Sequence, residues 1–371
     1  MSQSRKLRVA VVFGGRSSEH AVSCATAASV LAAIDKEKYD VIPIGISRDG
    51  KWVLESADEE RLALTAGHTP EVDDAAAAVV MSNDPAQRRI ITTEPGQTPS
   101  QLGTVDVVFP LLHGPWGEDG TIQGLLEIAG MNYVGSGVLA SAVGMDKHYM
   151  KIVLSAAALP VTSYVAILPR EWENDSDACR DAVEALGYPV FVKPARGGSS
   201  LGITKVPDRA DLDAAVEHAR EFDPKVLVEK AAVGAREVEC GVLQRPDGGA
   251  DASAVAEITD YGEHQFYDFA AKYLGEAGVT LEVPADLKPE VAEQIQEHSV
   301  AAFEALGCEG LARVDFFLGR DGRLTINEIN TMPGFTPSSM YPRMWAESGV
   351  DYPELVDRLI TLALNRPTSL R

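Results

Sequence analysis

Short apolar runs alternate with longer stretches of mixed polarity along this chain, which is the pattern of an α/β protein. Leu7–Phe13 is an apolar run that ends at Gly14-Gly15, and the mixed stretch after it predicts a helix with Ser17 or Ser18 at its start. Tyr39–Ile46 predicts the next strand. Strand, glycine turn, helix and strand in this order predict a parallel α/β opening.

The alternation continues through the chain with one interruption. Residues 56–103 are rich in Ala, Asp, Pro and Thr with weak periodicity, so we expect a surface insertion with short elements and assign it no chemistry. After it, the first segment ends with a predicted strand, Val105–Leu112, and a predicted helix, Thr121–Ala129. A second segment begins near Gly135 and a third at about Val233. Their predicted strands are Val161–Leu168, Val190–Pro194, Val226–Glu229, Glu237–Leu243 and Ala252–Ile258, and their predicted helices are Lys147–Ala157, one within Arg170–Leu186, Pro289–Leu306 and Tyr352–Leu364.

Two apolar runs near the carboxyl end predict a hairpin. Leu311–Leu318 and Leu324–Asn330 flank a Gly-Arg-Asp-Gly turn signal. Glu328 and Asn330 are two residues apart, so on a strand they share one face, and Asp315 on the partner strand adds a third oxygen ligand. Two carboxylates and an amide suit Mg²⁺ held together with nucleotide phosphates. The alternative is a hairpin with a polar face toward solvent.

Charge and cysteine content exclude several classes of function. The net charge of −22 disfavours nucleic acid and anionic membranes as partners, because both need a basic face. The chain shows neither a signal-peptide core nor an apolar run of membrane-spanning length, so we expect a cytoplasmic protein. The cysteines are scattered and form no C-x-x-C pair, which argues against zinc and against a disulfide framework; they are Cys24, Cys179, Cys240 and Cys308.

A strand end followed by a loop of small residues predicts a phosphate site. Lys193–Gly202 places a lysine at the strand end and then offers backbone N–H groups, with the hydroxyls of Ser199 and Ser200 as further donors. It is not a Walker A loop, since that pattern is absent. An ordinary Gly-Ser hairpin loop is the alternative interpretation.

Two weaker signals concern the nucleoside and a lid. Val226–Lys230 is a strand edge that can face adenine, and Glu237 or Glu239 after it can hold a ribose; a solvated strand end explains the same pattern. Phe266–Tyr273 falls in a charged, glycine-punctuated loop with a lid-like composition.

Two loops at strand ends supply candidates for a small substrate. His113–Gly120 follows a strand at the end where open α/β sheets bind ligands. His113 is the functional candidate there, against a structural histidine, and Glu118 and Asp119 are expected to cap the next helix. Glu19 near a helix start is favoured by the helix dipole whatever its role, and as a binder it would hold an ammonium group.

Taken together and in this order, these motifs resemble those of the D-alanine–D-alanine ligases, members of the ATP-grasp superfamily. The resemblance covers the chain except residues 56–103 and rests most on His113–Gly124 and Arg313–Gly334. It implies an α/β protein of three-domain ATP-grasp architecture: an N-terminal parallel α/β substrate-binding domain (1–135), a central ATP-grasp subdomain (136–232), and a C-terminal ATP-grasp subdomain with the metal site and lid (233–371). It also implies a homodimer that uses ATP to join two D-alanines through a D-alanyl phosphate for peptidoglycan precursors.

The resemblance further implies a role for each site residue. Asp315, Glu328 and Asn330 would bind Mg²⁺, with two divalent ions in all and Mn²⁺ as a substitute. The ATP contacts would be Lys147, Lys193, Ser199, Glu229, Lys230, Ala231, Ala232, Glu237 and Lys272, with Glu239 as the other candidate for the ribose. The catalytic and substrate-binding groups would be Glu19, His113, Ser199, Tyr273, Arg313 and the Gly334 N–H, with Ser339 and Met340 at the second D-alanine.

Two departures from the family pattern matter. Ala21 stands where an acidic residue is more usual, and Phe269-Ala270 replaces a Tyr with a polar neighbour in the lid. Three alternative functions stay open: a ligase that takes D-lactate second, a non-catalytic ATP-binding regulator, and a nucleotide-binding structural protein. Tyr273 favours the dipeptide product over the D-lactate ester, because the lactate-using relatives often have Phe there.

Overall fold

The computed structural model describes residues 5–64, 68–93, 98–261 and 279–367. The first of its sheets begins with β1 (Leu7–Gly14), which pairs in parallel with β2 (Tyr39–Ile46) and β7 (Val107–Pro110). Helix α1 (His20–Ala33) links β1 to β2. Residues 9–13 of β1 are fully buried, as expected for a central parallel strand. The predicted parallel opening is therefore confirmed.

The region predicted as an insertion extends this same sheet. β3 (Trp52–Leu54), β4 (Ala78–Met81), β5 (Arg89–Thr93) and β6 (Ser100–Thr104) form an antiparallel meander, and the strand order is β6-β5-β4-β3-β2-β1-β7. The expected short elements are present, but the expectation of a surface insertion is wrong, because these strands continue the first sheet. Brief edge strands with one solvated face carry too little apolar periodicity to be assigned to a sheet from sequence. The short helix α2 (Glu59–Leu62) lies between β3 and β4.

The second sheet is antiparallel throughout, in the order β10-β9-β11-β8. The predicted helix within residues 170–186 is two helices, because Asp175 ends the first and caps the second by accepting the Ala178 N–H. The elements are β8 (Tyr164–Ile167), α6 (Pro169–Asn174), α7 (Ser176–Leu186), β9 (Val190–Pro194), β10 (Thr204–Val206), α8 (Leu212–Arg220) and β11 (Val226–Lys230).

The third sheet, also antiparallel, has the order β14-β13-β12-β15-β16. Its hairpin β15–β16 has the predicted bounds, since both runs alternate between buried and partly exposed positions around a glycine turn. The elements are β12 (Arg236–Gln244), β13 (Ala250–Tyr261), β14 (Val279–Glu282), α9 (Pro289–Leu306), β15 (Leu311–Leu318) and β16 (Leu324–Asn330).

The remaining helices join the sheets to one another. α4 (Val138–Met145) and α5 (Lys147–Ala156) place apolar side chains in the core of the third sheet. α10 (Met340–Glu347) and α11 (Tyr352–Asn365) add theirs to the core between β1, β7 and α1, and α3 (Thr121–Ile128) packs on the opposite side of the first sheet. The same core includes Leu243 and Leu311 of the third sheet, so the first and third sheets are joined through it.

Within the described ranges, no helix combines the length and apolar character required to cross a membrane. The four cysteines are buried and none is in a disulfide.

Candidate active site

The loops at the carboxyl ends of β1 and β7 face the β15–β16 hairpin across a cavity of about 790 Å³. A second cavity of about 320 Å³ lies between the second and third sheets. The two cavities meet at a common wall, so a ligand in one can reach a ligand in the other. This wall consists of Lys147, Gly197, Gly198, Ser199, Glu239 and Glu328.

The β15–β16 hairpin brings the three predicted metal ligands together. Asp315 and Glu328 are directly opposed across the strands, and the Asn330 amide donates to Asp315 Oδ2 at 3.0 Å. Among the described residues, no group of three or more His, Cys, Asp or Glu side chains is arranged to hold a metal. Two carboxylates and one amide oxygen nevertheless fit Mg²⁺, which takes few protein ligands and completes its shell with phosphates and water.

A β-bulge at Asn327 was not foreseen. Asp315 pairs with Glu328 and Phe316 with Ile326, so Asn327 is the extra residue of β16. As a result, the consecutive residues Asn327 and Glu328 are both partly exposed, and both line the smaller cavity. The Asn327 side-chain oxygen accepts from Lys193 Nζ at 3.4 Å. A two-residue period assumes regular pairing, so it cannot locate such a bulge.

Arg313 lies on the cavity side of β15 and is held by two carboxylates. Its guanidinium donates to Asp315 at 2.7 and 2.8 Å, and Glu239 lies 3.1 Å from its Nε. Burial acts to lower the pKa of Arg313, but Asp315 and Glu239 together hold that pKa well above its usual value. The two ribose candidates differ in position. Glu239 contacts Arg313 and lines both cavities, whereas Glu237 lines only the smaller cavity.

The loop after β9 folds toward the first sheet. Ser199 and Ser200 both adopt left-handed backbone conformations, with φ of +53° and +59°. This conformation is unfavourable for residues other than glycine and is found most often at functional sites. Ser199 Oγ donates to Glu19 Oε1 at 2.5 Å, and Lys147 Nζ donates to the Gly197 carbonyl at 2.8 Å. The predicted phosphate loop and the predicted ammonium ligand are therefore in direct contact.

Glu19 lies between two close glycines. A Cβ on Gly114 would stand 2.6 Å from Glu19 Oε2, and one on Gly198 would stand 3.1 Å from it. The first distance is shorter than any real contact, so Gly114 is required for this carboxylate to lie where it does. Ser17 does not cap α1, because the N-cap residue is Glu19. The Ser17 hydroxyl instead donates to the His113 carbonyl at 2.7 Å. Ala21, the departure beside Glu19, is buried in α1.

Two further titratable groups share this end of the larger cavity. His113 is buried, with Nδ1 3.3 Å from the Met332 carbonyl, and burial lowers its pKa despite the nearby Glu19. Burial, and then the charge of Glu19, raises the pKa of Glu118 to about 8. Glu118 was expected to cap a helix and does not, since it accepts the Gly114 N–H instead.

The expected capping role falls partly to Asp119. Its Oδ1 accepts the first N–H of α3, from Thr121, at 3.0 Å, although the N-cap residue itself is Gly120 in a left-handed conformation. Asp119 also accepts the Trp116 N–H at 2.8 Å, which closes the loop after β7.

Glu229 is paired with two lysines. Its carboxylate is 2.8 Å from Lys193 Nζ and 3.1 Å from Lys151 Nζ, and all three side chains are buried. Burial acts to raise the pKa of Glu229, but the two ammonium groups bring it below its ordinary value. Lys230 donates through Nζ to the Gly187 carbonyl at 2.7 Å, and it lines the smaller cavity together with Ala231 and Ala232.

The loop after β16 closes the larger cavity, where Gly334, Ser339 and Met340 contribute to the wall. Ser339 occupies the N-cap position of α10, and its hydroxyl accepts the Thr336 N–H at 3.1 Å. Ala63 and Leu64, from the region assigned no chemistry, also line this cavity. Lys272, Tyr273 and the departure at Phe269-Ala270 lie outside the described residues, so the predicted lid contacts stay predictions.

Comparison with known proteins decides the family. Residues 8–136 match the family model for the D-ala D-ala ligase N-terminus, and residues 153–361 match the model for the D-ala D-ala ligase C-terminus. A D-alanine–D-alanine ligase from Streptomyces griseus subsp. griseus is 58% identical over 99% of this chain and 95% of its own length. The chain belongs to the D-alanine–D-alanine ligase family. The predicted resemblance is thereby confirmed.

Other members of the family agree in sequence and in fold. A D-alanine–D-alanine ligase from an Arthrobacter species is 58% identical over 99% of this chain and 96% of its own length. The VanG D-Ala:D-Ser ligase from Enterococcus faecalis superposes with a TM-score of 0.82 at 36% identity, covering 97% of this chain and all of that one. The D-alanine–D-alanine ligase from Coxiella burnetii gives 0.79 at 33% identity, covering 97% and 94%. The three-sheet α/β structure is accordingly that of the family.

Proposed function

We propose that this chain is an ATP-dependent, ADP-forming ligase that joins two D-alanines to make D-alanyl-D-alanine for peptidoglycan precursors. The observation that carries the proposal is the common wall of the two cavities. A nucleotide in the smaller cavity can direct its terminal phosphate past Lys147, Ser199 and Glu328 into the larger one. There the buried charges of Glu19 and Arg313 suit an amino acid, which carries an ammonium and a carboxylate.

The nucleotide is proposed to lie along β9, β11 and β12. Glu229 to Ala232 would border adenine, Glu237 would take the ribose hydroxyls, and Lys147, Lys193 and Ser199 would contact the phosphates. Lys272 would reach the γ-phosphate from the lid. The buried positions of Lys147 and Lys193 support this arrangement, because ammonium groups attract phosphate more strongly where water is excluded.

Asp315, Glu328 and Asn330 are the residues proposed to hold Mg²⁺, with Mn²⁺ as a substitute and two ions in all. Their oxygen-only donor set and their position between the two cavities support this choice over zinc or other soft metals. A divalent ion bound there would offset phosphate charge and so ease attack by an anion.

The side chains of the larger cavity are proposed to hold the two D-alanines for the first chemical step. A D-alanine ammonium would be held by Glu19, with His113 beside it, so that its carboxylate attacks the γ-phosphorus of ATP. The bond from that phosphorus to the bridging oxygen breaks, ADP leaves, and an acyl phosphate is formed. Lys147, Lys193 and Lys272 would offset the repulsion between the two anions. The second D-alanine would lie against Ser339 and Met340, with its carboxylate near the N-terminus of α10, where helix N–H groups favour an anion.

The second step needs an oxyanion site. Once deprotonated, the amine of the second D-alanine attacks the acyl carbon, the C–O bond to phosphate breaks, and phosphate leaves. Arg313 and the Gly334 N–H are proposed to stabilise the oxygen that becomes negative. Ser199, Glu19 and Tyr273 would form the contact that holds the lid closed and water out, and the Ser199–Glu19 hydrogen bond supports the first half of it.

We further propose the domain boundaries 1–135, 136–232 and 233–371, a homodimer, and a cytoplasmic location, where ATP is available. Each of the three sheets falls within one of these ranges, which supports the boundaries. Light scattering at micromolar concentration tests the dimer, and a monomer there would refute it.

The proposed reaction is tested by ATP-dependent phosphate release with D-alanine, D-serine, D-lactate and L-alanine as second substrates. We expect phosphate release when D-alanine is the only amino acid added. Near neutral pH, D-alanyl-D-alanine should be the main product. A product that is mainly the D-lactate ester or the D-serine dipeptide would defeat the substrate assignment. No phosphate release by protein that binds ATP would favour the non-catalytic regulator.

A further inference from the structure

Lys151 is a fully buried lysine that lies beside both cavities yet lines neither. It is one helical turn after Lys147 on α5, so both side chains leave the helix on the same face. A buried ammonium is retained only when it is paired, because taking the charge out of water is otherwise too unfavourable. Its partner is Glu229, at 3.1 Å, and it also donates to the Asn327 carbonyl at 3.4 Å.

The position of Glu229 makes this pair matter for the nucleotide. The same carboxylate is 2.8 Å from Lys193 Nζ, and Lys193 lines the smaller cavity. Burial lowers the pKa of Lys151, and Glu229 opposes that effect. With both lysines protonated, one negative charge is shared between two positive charges, and the three groups carry a net charge of +1. Without Lys151, Glu229 and Lys193 would form a closed pair of zero net charge at the place where the phosphates are expected.

We propose that Lys151 is a positioning residue for ATP use: it neutralises Glu229 so that the Lys193 ammonium keeps its charge available to the nucleotide phosphates. This inference rests on the proposed ATP site. The bulge at Asn327 belongs to the same arrangement, because its backbone carbonyl contacts Lys151 while its side chain contacts Lys193. Both lysines are thereby held by contacts with the β15–β16 hairpin as well as with β11.

The test compares two ligands that differ only in phosphate. Calorimetric titration of the folded Lys151→Met protein with ADP and with adenosine, both in Mg²⁺, separates a phosphate effect from general damage. We expect ADP affinity to fall about tenfold, as for an interaction that acts on a buried charge pair, while adenosine affinity stays within about threefold. The Lys151→Arg protein, which retains the charge, should keep its ADP affinity within about threefold.

A double-mutant cycle checks that the effect passes through Lys193. In a Lys193→Met background, Lys151→Met should cause no further loss of ADP affinity, since residues that act as one unit are not additive. Equal losses for ADP and adenosine, an unchanged ADP affinity, or full additivity with Lys193→Met would each overturn the inference.

Two controls keep the result decisive. If Lys151→Met does not fold, Lys151→Met/Glu229→Gln removes both charges of the pair and leaves Lys193 charged. The ratio of ADP to adenosine affinity in that protein should equal the ratio in the Glu229→Gln protein within about threefold, because Glu229 no longer needs a neutralising charge, and a ratio lowered tenfold would refute the inference. Failure of the proposed function is distinguishable, because it would appear in the wild-type protein itself, either as no ADP binding or as no ATP-dependent phosphate release.

Discussion

The two ends of the active site handle buried charge in opposite ways. At the amino-acid end, burial favours uncharged forms: it lowers the pKa of His113 and raises that of Glu118 to about 8. At the nucleotide end, ion pairs preserve the carboxylate: burial acts to raise the pKa of Glu229, but Lys151 and Lys193 bring it below its ordinary value, while burial lowers the pKa of Lys151 itself. The first end is suited to a substrate that must gain or lose a proton, and the second to a polyanion that stays charged throughout.

The largest effect is expected from Arg313, which lines the amino-acid end and is kept charged by Asp315 and Glu239 despite its burial. Arg313→Ala should lower kcat by at least about 10²–10³-fold, the usual result of losing one oxyanion donor, without unfolding the protein. ATP- and D-alanine-dependent phosphate release measures the loss, and circular dichroism checks the fold. Arg313→Lys is the matched control, because it keeps the charge but loses the paired contacts with Asp315. A rate for Arg313→Ala like that of the wild type would break the site assignment.

Glu328 should show the next largest effect. Glu328→Gln removes one charge from the hairpin, so the Mg²⁺ concentration needed for half-maximal phosphate release should rise by about 10–100-fold, as is common when a metal site loses a key partner. A Mg²⁺ titration at saturating ATP and D-alanine measures it. Asp321→Asn, an exposed acidic residue in the same hairpin's turn, is the control and should leave the titration unchanged. An unshifted curve for Glu328→Gln would place the metal elsewhere.

The sequence predicts this hairpin well and its surroundings less completely. Strand alternation and a glycine turn are local properties, so the sequence could place Asp315, Glu328 and Asn330 on one hairpin. The bulge at Asn327 depends on cross-strand pairing, and Lys151 looks like an ordinary solvated lysine on a helix until its burial is known. Whether Glu237 or Glu239 holds ribose was open because the spacing after Glu229 varies in the family, and it stays a prediction; the structure adds that Glu239 contacts Arg313.

Glu118 tests the amino-acid end. Its folded-state pKa of about 8 lies above the ordinary 4.5, so its protonated form favours the fold. This contribution to stability is complete below about pH 4.5 and is lost as the pH rises toward 8. The wild type should therefore lose stability between pH 5 and pH 8 that Glu118→Gln does not lose. The difference in free energy of unfolding, variant minus wild type, should be larger at pH 8 than at pH 5 by about 1 kcal/mol or more.

Urea unfolding at the two pH values measures the Glu118 difference. Glu60→Gln, which alters an exposed glutamate in α2, is the control. If the wild type and Glu118→Gln show the same pH dependence, Glu118 is already ionised in the folded protein, and the contrast between the two ends of the site does not hold.

The smallest effect on stability is expected from His20. Its contribution is lost as the pH falls, whereas that of Glu118 is lost as the pH rises. Its Nδ1 donates to the Gly15 carbonyl at 2.7 Å and its Nε2 accepts the Val72 N–H at 3.2 Å, which requires a neutral ring. Burial lowers the pKa of His20, so its contribution is complete above the ordinary pKa of 6.5 and is lost as the pH falls.

Thermal unfolding between pH 7.5 and pH 5 measures this effect. The wild type should lose about 1 kcal/mol more stability over that range than His20→Gln does. His218→Gln, at an exposed position of α8, is the control. Parallel curves for wild type and His20→Gln would show that the contact between α1 and the loop at Val72 does not depend on the neutral ring.

The packing of α11 on the first sheet has a consequence for how the molecule is made. β1 and α1 leave the ribosome well before the apolar side chains that complete their core, such as Leu355 and Leu359 of α11. During synthesis this apolar face stays uncovered until α11 has emerged, a state in which nascent chains are prone to aggregate. The first sheet thus completes its folding only when a helix from a distant part of the sequence packs on it.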